Sequence, residues 1–237
     1  MKVQIVATTT PVKRLCELGI DTGEKLIVHN ARVSNPSNQF NHYTGPQLLR
    51  HCIVHKHWSV FDQADMTLRV TTSRAISAQI IRHWSFFVQE FSQRYASVQS
   101  FESIELRKQA EKNRQSSESV IDDPHLARRV QSVLDLSMEV YNELIARQVA
   151  RECARMVLPM ASQTTLYIKG TVREWIHYIL TRTHPSTQKE HRLVAEQALA
   201  FFKVEFPEIH SVVFENPSTE ADSLISLQAA LVEEKVK

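Results

Sequence analysis

Residues 82–95 read Arg-His-Trp-Ser-Phe-Phe-Val-Gln-Glu-Phe-Ser-Gln-Arg-Tyr. Two arginines, a histidine, a glutamate, glutamines, two serines and a tyrosine fall within one short stretch. Leaving such groups buried without partners costs about 1–3 kcal/mol each, and a segment meant only for water would not interleave them with aromatics. An anionic, planar ligand satisfies both halves of the pattern. Arginine forks suit phosphate, and amide, hydroxyl and carboxylate groups suit the edge of a heterocycle.

The elements around this segment explain how it could be held. Ala64, Met66, Leu68 and Val70 alternate with Asp65, Thr67, Arg69 and Thr71, the pattern of a half-buried strand. Residues 72–81 switch to a helical period and deliver the segment as a functional loop. Upstream, Lys2–Thr8 reads as a strand, residues 25–34 lead to a loop at Asn35-Pro36-Ser37-Asn38, and residues 45–55 form a helix. Residues 104–119 are polar and charged and read as a solvated, mobile insertion. Asp123-Pro124 is an N-cap with proline at the first helical position for a long amphipathic helix, and a second helix runs through Arg155 to a stop at Pro159. Residues 164–169 read as a strand, and 171–180 and 188–202 as helices. The expected class is α+β, one domain over 1–237 with a mixed or antiparallel sheet, the 104–119 insertion and a tail over 215–237.

Composition bounds the function. The 237 residues carry 43% hydrophobic side chains and a formal net charge of +2, so no whole-molecule field points to nucleic acid. Three cysteines, Cys16, Cys52 and Cys153, are odd in number and in no CxxC spacing, which suits reduced thiols in apolar surroundings and a cytoplasmic protein. No apolar run reaches the length of a membrane span, so no membrane partner is expected. Only four glycines occur, and neither GxGxxG nor GxxxxGK[ST] can be written from them. Any nucleotide site must therefore be built from side chains and helix ends. His51 and His55 stand i, i+4 near His57, but without a third ligand of matching spacing they read as helix-surface histidines, and no metal is expected.

The segment resembles the signature of the flavin-dependent thymidylate synthases, Arg-His-Arg-x-x-Ser-x-Asn/Gln-Glu-x-Ser-x-Arg-Tyr. It matches at Arg82, His83, Gln89, Glu90, Ser92, Arg94 and Tyr95, and departs at Trp84 and Phe87, where the family has arginine and serine. Ala31-Arg32-Val33-Ser34, the run His57-Trp58-Ser59-Val60-Phe61-Asp62, Gln79, the run Ala154–Pro159, Thr171-Val172-Arg173, His177, Arg182 and Gln188-x-Glu190 are similar to further blocks of that family.

The resemblance implies a homotetramer with shared, non-Rossmann flavin sites. It implies bound FAD, dUMP as substrate, methylenetetrahydrofolate as carbon donor and NADPH as hydride donor, with no cysteine nucleophile. Arg182 would be the catalytic cation at the pyrimidine edge. Gln79, Ile80, Ile81, Arg82, Glu90, Phe91, Ser92, Gln93, Arg94 and Arg155 would join it around dUMP, with Arg94 and Arg155 on the phosphate. Ser34, Ser59, Asp62, Arg82, His83, Trp84, Glu90, Thr171, Val172, Arg173 and His177 would hold FAD, and His57 and Tyr95 would face the folate. Two other readings stay open: a member that binds but is catalytically weak because of Trp84 and Phe87, and a non-enzymatic nucleotide-binding module whose aromatics stack bases.

Overall fold

In the computed structural model, which describes residues 1–215, four antiparallel strands form the central sheet in the order β1-β2-β6-β3. These are β1 (Lys2–Thr8), β2 (Asp65–Ser73), β6 (Gln163–Thr171) and β3 (Phe87–Glu90). The alternation in β2 is physical: Met66, Leu68 and Val70 are buried, and their neighbours face outward. β6 pairs with β2 through Leu68↔Ile168 and Val70↔Leu166, so the two strands put their apolar side chains on the same face. The tail read over 215–237 lies outside the described residues beyond Glu215.

Nine α-helices accompany the sheet among the described residues: α1 (Lys13–Cys16), α2 (Gly23–Ala31), α3 (Gly45–Val54), α4 (Arg74–Ile80), α5 (Pro124–Ala146), α6 (Arg151–Ala154), α7 (Val172–Arg182), α8 (Lys189–Glu205) and α9 (Pro207–His210). α7 and α8 pack on each other and on the sheet. They bury Trp175, Tyr178 and Ile179 from the first and Val194, Ala198 and Phe202 from the second. Trp175 Nε1 donates to the Met66 carbonyl at 2.8 Å, fixing α7 to β2. Asp123 caps α5 as its sequence suggests, accepting from the His125 and Leu126 amides at 2.9 and 3.0 Å. Among the described residues no helix is long and apolar enough to cross a membrane.

Several expectations are corrected. The signature is not a loop throughout: residues 87–90 form β3, with Val88↔Ile168 and Gln89↔Tyr167 in register with β6. Residues 104–119, expected as a solvated, mobile insertion, are largely exposed and contain most of a hairpin, β4 (Arg107–Gln109) against β5 (Ser117–Val120). The helix expected through Arg155 is broken into α6 and a 3₁₀ turn, Arg155–Val157. Cys153 is exposed, although Cys52 is buried.

Candidate active site

α4 ends in a tight turn that presents the start of the signature. The His83 amide donates to the Ile80 carbonyl at 3.0 Å, and the Phe86 amide to the His83 carbonyl at 3.1 Å. Phe86 then anchors the turn on α7, its ring 4.6 Å from Trp175 and 5.3 Å from Tyr178. Gly170 permits this approach, because a Cβ there would stand 2.5 Å from the Phe86 ring.

The displayed side chains, Arg82, His83, Trp84 and Ser85, line one wall of a cleft of about 770 Å³. α7 contributes Arg173, Ile176, His177 and Leu180 to the same cleft, positions that share one helix face by their spacing. Trp58, Ile53 and Val213 add apolar surface, and Asp62, Thr171 and Glu174 line the α7 N-terminus. That terminus carries a capping box: the Glu174 amide donates to Thr171 Oγ1 at 3.3 Å and the Thr171 amide to Glu174 Oε2 at 2.7 Å. Asp62 accepts from Thr171 Oγ1 at 3.1 Å and pairs with Arg173 Nη1 at 3.3 Å. Apolar walls and two arginines in one cleft suit a planar heterocycle joined to phosphate.

A second, polar pocket of about 320 Å³ adjoins it, lined by Gln79, Arg82, Gln115, Arg182, Ser186, Thr187 and Gln188. Arg82 lines both cavities. Arg182 Nε donates to His83 Nε2 at 2.7 Å, so the imidazole accepts there and carries any ring proton on Nδ1. Burial, then the charges of Arg182, His177 and Arg82, push His83 down to about 4, leaving it neutral at physiological pH. Burial also lowers the Arg182 guanidinium, and drives the buried Tyr178 phenol upward. His191, buried behind the pocket, is pushed down to about 3 by burial and then by Arg182 and His83.

The remaining expected site residues lie elsewhere in the chain. Glu90 is a partly buried carboxylate: Ser77 Oγ and Thr164 Oγ1 donate to Oε1, and Arg74 pairs with Oε2 at 2.7 Å. Arg74 also donates to the Phe91 carbonyl at 3.0 Å. Ser92, Arg94 and Tyr95 line a separate open cavity with Ala150, Arg151 and Glu152, where Arg94 meets Glu152 at 3.3 Å. Gln93 is buried, and Arg155 sits in the 3₁₀ turn after α6. Ile80 and Val172 are core residues, whereas Ile81 is exposed. Ser34, Ser59 and His57 are exposed and do not line the large cleft.

Sequence reading missed Arg74, Gln115, Ser186 and Thr187, none of which belongs to a quoted motif. Ile176 and Leu180 were within reach, since their spacing places them with Arg173 and His177. His51, His55 and His57 do gather, with ring centroids 4.0, 5.8 and 6.1 Å apart. Even so, no group of three His, Cys, Asp or Glu among the described residues could hold a metal ion.

The thymidylate synthase complementing protein family model matches residues 18–208. A probable flavin-dependent thymidylate synthase of Paramecium bursaria Chlorella virus 1 is 46% identical over 213 residues, covering 88% of this chain and 97% of its own. A flavin-dependent thymidylate synthase of Synechocystis sp. is 42% identical over 216 residues, with the same coverage of each chain. Among solved structures, the UMP/dUMP methylase PolB from Streptomyces cacaoi bound with 5-Br dUMP superposes with a TM-score of 0.74 at 24% identity, covering 89% of this chain and 93% of that one. That last likeness is one of fold.

Proposed function

The chain belongs to the thymidylate synthase complementing protein family, and from that premise we propose that it is a flavin-dependent thymidylate synthase. The reaction is reductive methylation of dUMP to dTMP, with methylenetetrahydrofolate giving carbon, NADPH giving hydride and tetrahydrofolate released. The observation that carries this reading is the pair of adjoining cavities joined at the Arg182–His83 hydrogen bond. A large cleft with apolar walls and phosphate-compatible cations stands beside a small pocket lined by amide, hydroxyl and guanidinium groups, which suit the polar edge of a pyrimidine.

FAD fits the large cleft. Arg82 and Arg173 would hold its phosphates, and Trp58, Ile176, Leu180 and Trp84 its planar parts. When bound, it supplies the two-electron redox chemistry of the reaction. The protein's part is to bind, orient and polarise. Methylation at uracil C5 needs electron density on that carbon, and a cation at the N3/O2 edge favours the enolate-like form. Arg182 would supply it: one nitrogen is engaged by His83, and its Nη groups make no hydrogen bond among the described residues. A neutral His83 orients that guanidinium without competing for the negative charge. Gln79 would meet the base beside it.

Arg94, Ser92 and Tyr95 are placed in a different cavity from Arg182. A shared site is the reading that reunites them, with the nucleotide phosphate clamped by Arg94 and Arg155 of a neighbouring subunit in a homotetramer. Exposed apolar side chains support association: Trp84 is 92% exposed, Tyr95 88% and Met156 79%, a density of uncovered rings and thioethers that a second copy would bury. The test is direct. Protein, NADPH, methylenetetrahydrofolate and dUMP are incubated and thymidylate is measured, with the visible spectrum recorded beforehand. A yellow protein that forms thymidylate is expected. A colourless protein that makes none and binds single-stranded nucleic acid would replace this reading with a binding module.

A further inference from the structure

The β4–β5 hairpin carries no residue of the quoted motifs, yet its Gln115 lines the small pocket beside Gln79, Arg82 and Arg182. Ion pairs seat it on the start of α8. Arg107 meets Glu105 and Glu190, each at 2.7 Å, and Lys189 Nζ meets Glu105 at 2.7 and 2.9 Å. The Arg107 side chain is only 11% exposed and Glu190 24%, so that pair is better shielded than ordinary surface pairs.

From Arg107 a directional chain of hydrogen bonds runs inward. Glu190, as a carboxylate, can only accept. It accepts from Arg107 Nη2 at Oε1 and from Gln188 Nε2 at Oε2, the latter across 2.9 Å. Gln188 is thereby turned so that its carbonyl accepts from Gln79 Nε2 at 2.6 Å. Gln79 in turn points its carbonyl at His191 Nδ1, 3.2 Å away. Burial would raise the Glu190 carboxyl, but the backbone amide, Arg107 and Gln188 outweigh it and hold it low, so the anchor of the chain stays charged. What the Gln79 amide has left for the pocket is its second N–H.

We infer that Arg107 is a positioning residue for base selection: through Glu190 and Gln188 it fixes Gln79 as a donor toward a pyrimidine carbonyl and against the exocyclic amine of cytosine. This inference rests on the nucleotide reading above. A uracil ring offers carbonyl oxygens at both C2 and C4, whereas cytosine presents an amino group at C4. Replacing the carboxylate by an amide removes the directional constraint, because an amide both donates and accepts.

The test uses flavin-loaded full-length protein and measures dissociation constants for dUMP and dCMP. Glu190→Gln and Arg107→Met are each expected to weaken dUMP about ten-fold and to narrow the dUMP-over-dCMP preference by a similar factor, the loss of about one oriented hydrogen bond. Arg107→Lys, which keeps the charge but not the fork, should fall between these variants and the parent. In a Gln79→Ala background, Glu190→Gln should add nothing. Flavin absorbance and melting temperature report whether the hairpin is merely structural. Equal loss of dUMP and dCMP, or an unchanged preference, would overturn the relay while parental dUMP binding still stood. Should Glu190→Gln not fold, the two Arg107 variants, on a peripheral hairpin, decide the matter. A parent that binds neither nucleotide would sink the nucleotide reading and this inference with it.

Discussion

Arg182 and His83 share a 2.7 Å hydrogen bond, yet they line different cavities, Arg182 the small polar pocket and His83 the large cleft. A change at either end should therefore register on both sides, but unequally. Arg182→Ala is expected to lower turnover by about 10²–10³, the scale of removing one group that stabilises developing charge, with flavin content nearly unchanged. Steady-state kinetics and the flavin-to-protein absorbance ratio measure the two. Parallel loss of both would make Arg182 a cofactor or folding residue.

The neutral state of His83 gives a pH prediction. Its folded pKa, about 4, lies below the ordinary 6.5, so between those values the unfolded chain binds more protons than the folded one. Stability from the neutral imidazole is fully present above about pH 6.5 and is lost as pH falls toward 4. His191, at about 3, acts in the same direction and extends the window lower. The His83 and His191 ring-proton shifts should stay flat by NMR from pH 8 to 5. A titration near 6.5 for either ring would contradict the buried, neutral arrangement.

What could be read from the residues follows a physical line. The α7 face was legible because Arg173 and His177 lie four apart, and the capping box at Thr171 and Glu174 falls where a helix start is expected. β3 was hidden: it has only four residues, and its pairing with β6 joins positions some eighty apart in sequence, a relation that local pattern does not carry. The pairing of the hairpin strands was hidden for a different reason. Its strands lack an apolar face, and ion pairs between Glu105, Arg107, Lys189 and Glu190 do the holding, so its composition resembles that of a solvated segment. Arg74 shows the same limit, since its 2.7 Å ion pair with Glu90 joins α4 to the end of β3, a contact that local pattern does not carry.

Glu24 supplies a prediction of opposite sign. Burial raises its carboxyl to about 7, against hydrogen bonds that include the Ile209 amide at 2.7 Å. The folded protein then holds the proton between about 4.5 and 7 while the unfolded chain has released it. This contribution is present at low pH and is lost as pH rises through 7, by roughly 3 kcal/mol at most. Glu24→Gln keeps an acceptor for the Ile209 amide and removes the ionisation. Its melting temperature should decline less than the parent's between pH 5 and 8, and an identical pH profile would show that Glu24 is not the source.

Gly170→Ala probes how the signature turn is held. The new methyl would stand 2.5 Å from the Phe86 ring, and that ring is packed against Trp175 and Tyr178. Overpacking of this kind costs about 1–3 kcal/mol. Because Phe86 sits three residues after His83, the displacement should reach the cleft as well. Calorimetry should show a lower melting temperature, and flavin titration weaker binding. A loss of stability with flavin affinity intact would mean the turn moves independently of Phe86.

Trp84 is the last test, because it is where the chain departs from the family's arginine. Its side chain lines the large cleft while remaining 92% exposed, so an arginine there would reach the same space without disturbing the core. An indole offers a ring face and one N–H, whereas a guanidinium offers a charged fork. Trp84→Arg is therefore expected to tighten flavin binding, by up to about ten-fold for one charge-assisted contact. The other departure behaves differently. Phe87 belongs to β3, opposite Lys169, and does not line the cleft, so adding Phe87→Ser should leave flavin affinity at the Trp84→Arg value. Flavin fluorescence titrated into apo protein separates the outcomes. Weaker binding in Trp84→Arg would identify the tryptophan as an adapted contact of this chain, stacking on the cofactor where the family signature has a charge.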